Sequence, residues 1–156
     1  MAKKPQQLKL YTSLWAMMPH DHTGVILPYE QICEMVADGG YDGMAIDLGA
    51  GDVAQAHAVR PHMERHGLTP LIVAFPKTID SLHDTLLMAK DFGAPFVDVI
   101  GQVMPLSVDG MIPVIRRWIE MADKLEMPIQ FETHRNCIPN DLSATLFLRD
   151  AVPEMR

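Results

Sequence analysis

The feature that most constrains this chain is a pattern that recurs five times: a short apolar run followed by a stretch with helical spacing. The plainest run is Leu71-Ile72-Val73-Ala74-Phe75, which follows Pro70 and has no polar interruption. A continuous apolar run bounded by turn residues fits a strand of a parallel sheet buried on both faces. Strand-like runs also cover Leu8 to Trp15, Gly43 to Leu48, Phe96 to Gly101 and Pro128 to Thr133. Between them lie predicted helices. Pro28 opens the first, with Ile32, Met35, Val36 and Gly39 on one face and Gly39-Gly40 as its stop. The second runs from Asp52 to Gly67, with a kink or split expected at Pro61. Thr78 or Asp80 caps the third, which carries Ile79, Leu82, Leu86 and Ala89. The fourth, from about Ser107 to Glu126, repeats Met111, Ile115, Trp118, Ala122 and Leu125 at three- and four-residue steps. The fifth begins at Asn140 or Asp141, turns Leu142, Leu146 and Ala151 inward, and ends by Pro153.

Alternating strands and helices build a parallel sheet with right-handed crossovers. Two architectures share that pattern: an open, doubly wound sheet and part of a (β/α)8 barrel. A complete barrel takes roughly 250 residues, so five of its eight units need about 156, and the chain has 156. Length fits the open sheet equally well. The place after the first strand decides against it. Many nucleotide-binding open sheets carry a glycine-rich phosphate loop there; this chain has Met17-Met18-Pro19-His20-Asp21-His22. Its polar residues sit instead at the carboxyl ends of several strands, where barrel enzymes place their chemistry. The expectation is a partial TIM barrel: one domain over residues 1–156, holding the first five strand–helix units and truncated before strand six.

Composition narrows the function classes. With 48% hydrophobic and 21% charged residues the chain is globular rather than disordered. A net charge of −7 argues against nucleic acid as a partner, because phosphate binding needs clustered Lys and Arg. Cys33 and Cys137 form no CxxC pair and read as free, reduced thiols. Met1 to Leu10 lacks the apolar core of a signal peptide, and no apolar run is long enough to span a membrane. The expectation is a cytoplasmic protein with no membrane partner.

The richest chemical stretch is Phe131-Glu132-Thr133-His134-Arg135-Asn136. Glu132 and His134 are two apart on a predicted strand and therefore share a side. A carboxylate and an imidazole at a barrel mouth are natural ligands for a divalent cation. Arg135 suits an anionic or polyhydroxyl substrate, and Asn136 suits its orientation. The bland alternative is an ion pair with helix capping at a strand end. His20, in the loop after strand one, can reach substrate, although loop residues of this kind are more often only solvated. Asp47 closes strand two and Gln102 follows strand four, each a possible substrate contact. His57, His62, His66 and His83 fall on helices and read as surface residues. The twelve methionines read as core filling.

The segment Gln130 to Asp141, QFETHRNCIPND, resembles the fifth-strand segment of sugar phosphate isomerase/epimerase-like proteins of the xylose isomerase-like TIM-barrel superfamily. Ala45-Ile46-Asp47-Leu48, Val99-Ile100-Gly101 and Ala151-Val152-Pro153-Glu154-Met155 add to the likeness. The resemblance implies that Glu132 binds a divalent metal, manganese, magnesium or zinc, with the other ligands on strands six to eight. The metal site is then incomplete in this chain. It further implies Lewis-acid stabilisation of an enediolate and proton transfer by paired glutamates, with Glu132 as one of them. The superfamily also contains apurinic endonucleases that use histidines at the ends of strands two to four; this chain has Asp47, Phe75 and Gly101-Gln102 there. The resulting expectation is a metal-dependent isomerase or epimerase acting on a small polyhydroxy carbonyl compound, with little turnover from these residues alone. A metal-dependent dehydratase on the same scaffold, or a non-catalytic binding and assembly module, is the alternative. Open strand edges favour self-association.

Overall fold

The computed structural model describes residues 8–18, 24–104, 107–137 and 139–155. Five strands alternate with helices: β1 (Tyr11–Ser13), α1 (Leu14–Met17), α2 (Tyr29–Asp38), β2 (Gly43–Asp47), α3 (Val53–Arg65), β3 (Thr69–Ala74), α4 (Ser81–Phe92), β4 (Val97–Val99), α5 (Val108–Lys124), β5 (Ile129–Phe131) and α6 (Leu142–Ala151). The strands form one sheet in chain order, β1-β2-β3-β4-β5, and every neighbouring pair is parallel. No reversal of order occurs, so the doubly wound alternative is excluded.

Alternation along the strands sorts the side chains into two faces. Met44, Ile46, Ile72, Ala74, Val97 and Val99 join a single apolar core with residues of the main helices, among them Ile32, Val59, Leu86, Ile115 and Leu148. Ala45 and Leu71, of the opposite parity, lie outside that core. The helices therefore cover the first face, as a barrel's outer layer does, and the second is the inner face. Phe131 marks the same division on β5: its ring stacks on Trp118 of α5, with centroids 6.2 Å apart and planes 25° from parallel.

The helix ends follow from local chemistry. Asp52, Ser107 and Asp141 cap α3, α5 and α6, each side chain accepting a backbone N–H of the first turn. Asp80 occupies the cap position of α4 without bonding; Thr78 does the work, its Oγ1 accepting from the Ser81 amide at 3.2 Å. α3 runs unbroken through Pro61 rather than splitting there. On α2, Cys33 is buried with Ile32 and Val36, whereas Met35 is exposed and leaves the expected inward face. Helix α6 departs further. Ala144 and Leu148 are its buried residues, while Leu142 is 73% and Leu146 38% exposed. α6 carries apolar residues on more than one side, and contact with α5 selects the side that is buried.

The outer face carries its own polar clamp. Glu30 of α2 accepts from His62 Nδ1 at 2.6 Å, from His66 Nε2 at 3.0 Å and from Arg65, all at the end of α3. Three donors on one carboxylate tie α2 to α3, and the two histidine contacts above all hold Glu30 below the usual carboxylate range.

Trp118 joins the layers at the functional end of the sheet. It is fully buried, and its indole N–H donates to the Ile79 carbonyl at 3.0 Å. Trp118→Ala is expected to cost about 3–5 kcal/mol in urea denaturation, the range for emptying a large aromatic site. Trp118→Phe keeps the stack on Phe131 and is expected to cost about 1–3 kcal/mol, because the Ile79 carbonyl loses its donor.

Candidate functional site at the strand ends

The backbone ladder sets the site. Val97 and Val99 are fully buried in the helix-side core, so Asp98 between them faces the inner side. Asp98 is in register with Gln130 of β5, and Gln130, between the helix-side Ile129 and Phe131, faces the same way. The Glu132 amide still donates to the Val99 carbonyl at 3.1 Å, which carries the ladder one residue beyond β5. Glu132 thus follows Gln130 on the inner face, at the carboxyl end.

This puts Asp98 and Glu132 on the same face of adjacent strands, two residues apart in register, near enough for the Glu132 carboxyl to act on Asp98. Burial and then the Glu132 carboxyl push the Asp98 pKa up to about 7, against a smaller downward pull from Gln130 and the Val99 backbone. Asp98 Oδ1 is buried and has no hydrogen-bond partner among the described residues. Glu132 itself is exposed, accessible to anything entering the inner face.

His134 lies beyond the strand, since β5 ends at Phe131 rather than Thr133. Its backbone amide donates to Pro139 O at 3.2 Å, and its ring meets Phe75 edge-on, with centroids 5.8 Å apart. Phe75 in turn lies over Gly49, where a Cβ would come within 2.6 Å of the Phe75 ring; glycine permits the approach. His134 Nδ1 is 2.8 Å from the Arg135 carbonyl oxygen. A carbonyl only accepts, so Nδ1 carries the proton and Nε2 of the neutral ring keeps a lone pair. Cys137 Sγ sits 3.7 Å from the same Nδ1. Its pKa is raised, mainly by burial, with the Gln102 side chain acting in the opposite sense.

The expected residues therefore divide. Glu132, His134 and Gln102 border one region at the ends of β4 and β5. Arg135 and Asn136 are exposed on the turn that follows, Asn136 in the left-handed conformation with φ 58°. Asp47 closes β2 and stands three strands from Glu132; its Oδ1 accepts from the Gly49 amide at 2.7 Å and the Ala50 amide at 2.9 Å, so this oxygen folds the β2–α3 turn. His20 lies outside the described residues. Among the described residues no group of three His, Cys, Asp or Glu side chains is arranged to hold a metal ion.

Asp98 and Cys137 were not among the residues singled out from the sequence. Asp98 left one signal: it is the only charged residue inside the apolar run Phe96 to Gly101, a place where an unpaired charge is costly.

Solved structures share the fold. N-acetylneuraminate lyase from Mycoplasma synoviae superposes with a TM-score of 0.60 at 12% identity, over 92% of this chain and 51% of its own. D-allulose 3-epimerase from Methylomonas sp. gives 0.64 at 15%, over 96% and 60%. DHDPS from Cyanidioschyzon merolae gives 0.62 at 14%, over 94% and 53%. The sheet is part of a TIM barrel. The chain spans between half and two thirds of these barrel proteins, and at such identities the likeness concerns the fold alone. No protein-family profile matches the chain, and neither does any curated protein sequence. Among the described residues no helix is long and apolar enough to cross a membrane.

The raised pKa of Asp98 makes stability depend on pH. Folded Asp98 keeps its proton up to about 7, whereas an unfolded aspartate releases it near 3.9. Between those values the folded state binds more protons, so stability falls as pH rises through that window. Asp98→Asn is expected to flatten this dependence, measured as the change in urea midpoint between pH 5 and pH 8.

Proposed function

We propose that the chain carries part of the active site of a divalent-metal-dependent isomerase or epimerase acting on a small polyhydroxy carbonyl compound. The observation that carries this reading is that two acidic residues, Asp98 and Glu132, share the inner face of adjacent parallel strands at their carboxyl ends. Barrel enzymes keep their chemistry at that end. The likeness of QFETHRNCIPND to sugar phosphate isomerase/epimerase-like proteins of the xylose isomerase-like superfamily supports the same assignment, and so does the presence of a D-allulose 3-epimerase among the structural neighbours.

The residues fit a cation. Glu132 presents an accessible carboxylate, and the buried, unpartnered Oδ1 of Asp98 next to it is an acceptor awaiting a partner. Oxygen donors suit magnesium or manganese, with zinc also compatible with a histidine nearby. When bound, the ion polarises the substrate carbonyl. The chain's own groups do the rest. Glu132 anchors the ion and takes up or returns the proton at the neighbouring carbon. His134, with its lone pair on Nε2, is a second candidate base. Arg135 and Asn136 hold substrate hydroxyls or an anionic group, Gln102 offers an amide, and His20 and Asp47 are assigned to substrate on the sequence pattern. A dehydratase would use the same pair to remove a proton and expel hydroxide.

Solvent deuterium incorporation tests the assignment. A ketohexose is incubated with the protein and manganese in heavy water, and label at the carbon next to the carbonyl is followed by NMR. Slow incorporation is expected, falling to background in Glu132→Gln. Absence of exchange across ketoses and aldoses with manganese, magnesium and zinc would overturn the catalytic reading.

A specific feature favours the non-catalytic alternative, an assembly module. β1 and β5 each have one strand neighbour among the described residues, and α6 exposes Leu142, Leu146 and Phe147. Free edges and apolar faces favour association. Sedimentation velocity at micromolar concentration is expected to show dimers or larger species; a monodisperse monomer counts against self-association.

A further inference from the structure

We propose that the open edge of β5 is an interface for a second copy of this chain, whose β1 pairs with it in parallel and continues the sheet. The proposal rests on the self-association reading above, names the surface that mediates it, and is independent of the catalytic reading.

The backbone defines the site. The Pro128 carbonyl accepts from the Val97 amide at 2.9 Å, and the Glu132 amide donates to the Val99 carbonyl at 3.1 Å. Residues of that parity therefore address β4. By alternation the amides and carbonyls of Ile129 and Phe131 point the other way, where no described strand lies. Beside them is a cavity of about 510 Å³ lined by Ile119, Ala122, Met127, Ile129, Phe131 and Pro153. Such walls suit one further strand with apolar residues on its helix side. The rim is acidic, with Asp123, Glu126 and Glu154. Lys90 lies 3.5 Å from Glu126 and Arg116 4.0 Å from Glu154, whereas Asp123 has no cation within ion-pair distance among the described residues.

Three features select β1 of a second copy as the occupant. Continuing a parallel sheet with its helices on the same side requires a strand whose opposite edge is free, and among the described strands only β1 has that edge. Charge is complementary as well. In a parallel pair the segments that precede the two strands lie side by side; Asp123 and Glu126 precede β5, and Lys3, Lys4 and Lys9 precede β1. Lys9 is exposed although paired with Asp42 at 2.6 Å. Opposite charges thus meet at the seam. The third feature is apolar. Gly43 has the inner-face parity of Ala45, and a Cβ there would come within 2.6 Å of the Tyr11 ring, so Tyr11 is on the inner side. Thr12 and Leu10 have the other parity, the one that enters the groove. Leu10 is 49% exposed in its own chain, and parallel pairing carries it toward Met127 and Ile129. The two edges of one chain therefore complement each other, and such head-to-tail contacts close into rings where the rotation permits. Pairing β5 with β5 of another copy runs antiparallel and offers no lysine run to the acidic rim.

Complementation between variants tests this mode. Sedimentation velocity at micromolar concentration is measured for the wild-type chain, for Leu10→Asp, which sets a charge against apolar walls, and for Asp123→Lys combined with Glu126→Lys, which reverses the rim. All three positions are exposed, and circular dichroism checks folding. The wild-type chain is expected to associate, and each variant to do so at least about tenfold more weakly. Mixing the two variants is expected to restore association, because the Leu10→Asp copy keeps a native β5 edge and the rim-reversed copy keeps a native β1. Association that survives in either variant, or a mixture that stays monomeric, overturns the β5–β1 mode while self-association stands. A wild-type monomer overturns both. Should a variant not fold, the wild-type chain is compared in about 0.05 M and about 0.5 M sodium chloride, since salt screens exposed charges. Weaker association at the higher salt is expected; unchanged or stronger association overturns the mode.

Discussion

The parallel ladder from β2 to β5 is the constraint on which the rest depends. Once β4 and β5 pair in register, one parity of residues enters the helix-side core and the other must face inward. Val97, Val99, Ile129 and Phe131 take the first course. Asp98, Gln130 and Glu132 take the second, and the face they share cannot change without slipping a strand and exposing the valines. The stack of Trp118 on Phe131 secures that register from the helix side. The candidate site is therefore a by-product of core packing: the same hydrogen bonds that bury the valines bring two carboxyl groups together.

The price of this arrangement is electrostatic. A half-buried carboxyl beside another resists ionisation, and Asp98 answers by holding its proton toward neutral pH. Elsewhere the structure handles carboxylates differently. Glu30 meets three donors on the outer surface, and Asp47 spends an oxygen on two turn amides. Among the described residues, Asp98 alone keeps a buried side-chain oxygen without a hydrogen-bond partner, which distinguishes it from the structural carboxylates around it.

The strand and helix pattern was largely legible in the sequence because it is local. The uninterrupted run from Leu71 to Phe75 and the stepped apolar residues of α5 state their periods within a few residues, and Asp52, Ser107 and Asp141 announce their helices by capping chemistry. The sequence was less explicit where several faces are apolar. On α6 the expected inward residues Leu142 and Leu146 are exposed, because contact with α5 selects Ala144 and Leu148 instead. Glu132 and His134 could be named from their chemistry, but the side they share could not be taken from alternation, since the strand ends before His134.

The sequence by itself determined an all-parallel sheet in chain order, the helices that cover one face, and the identity of Glu132 as a strand-end carboxylate. These follow from hydrophobic period, turn residues and connection rules, which act over short stretches. Only the tertiary structure decided that Asp98 shares the inner face with Glu132 on the adjacent strand, that Phe75 packs on His134, and that one oxygen of Asp47 folds its own turn. Such contacts join residues far apart in the chain, and their geometry is set by strand register and the close approach of backbones, as at Gly49 beneath Phe75. Periodicity says which way a residue faces; it does not say what it will meet.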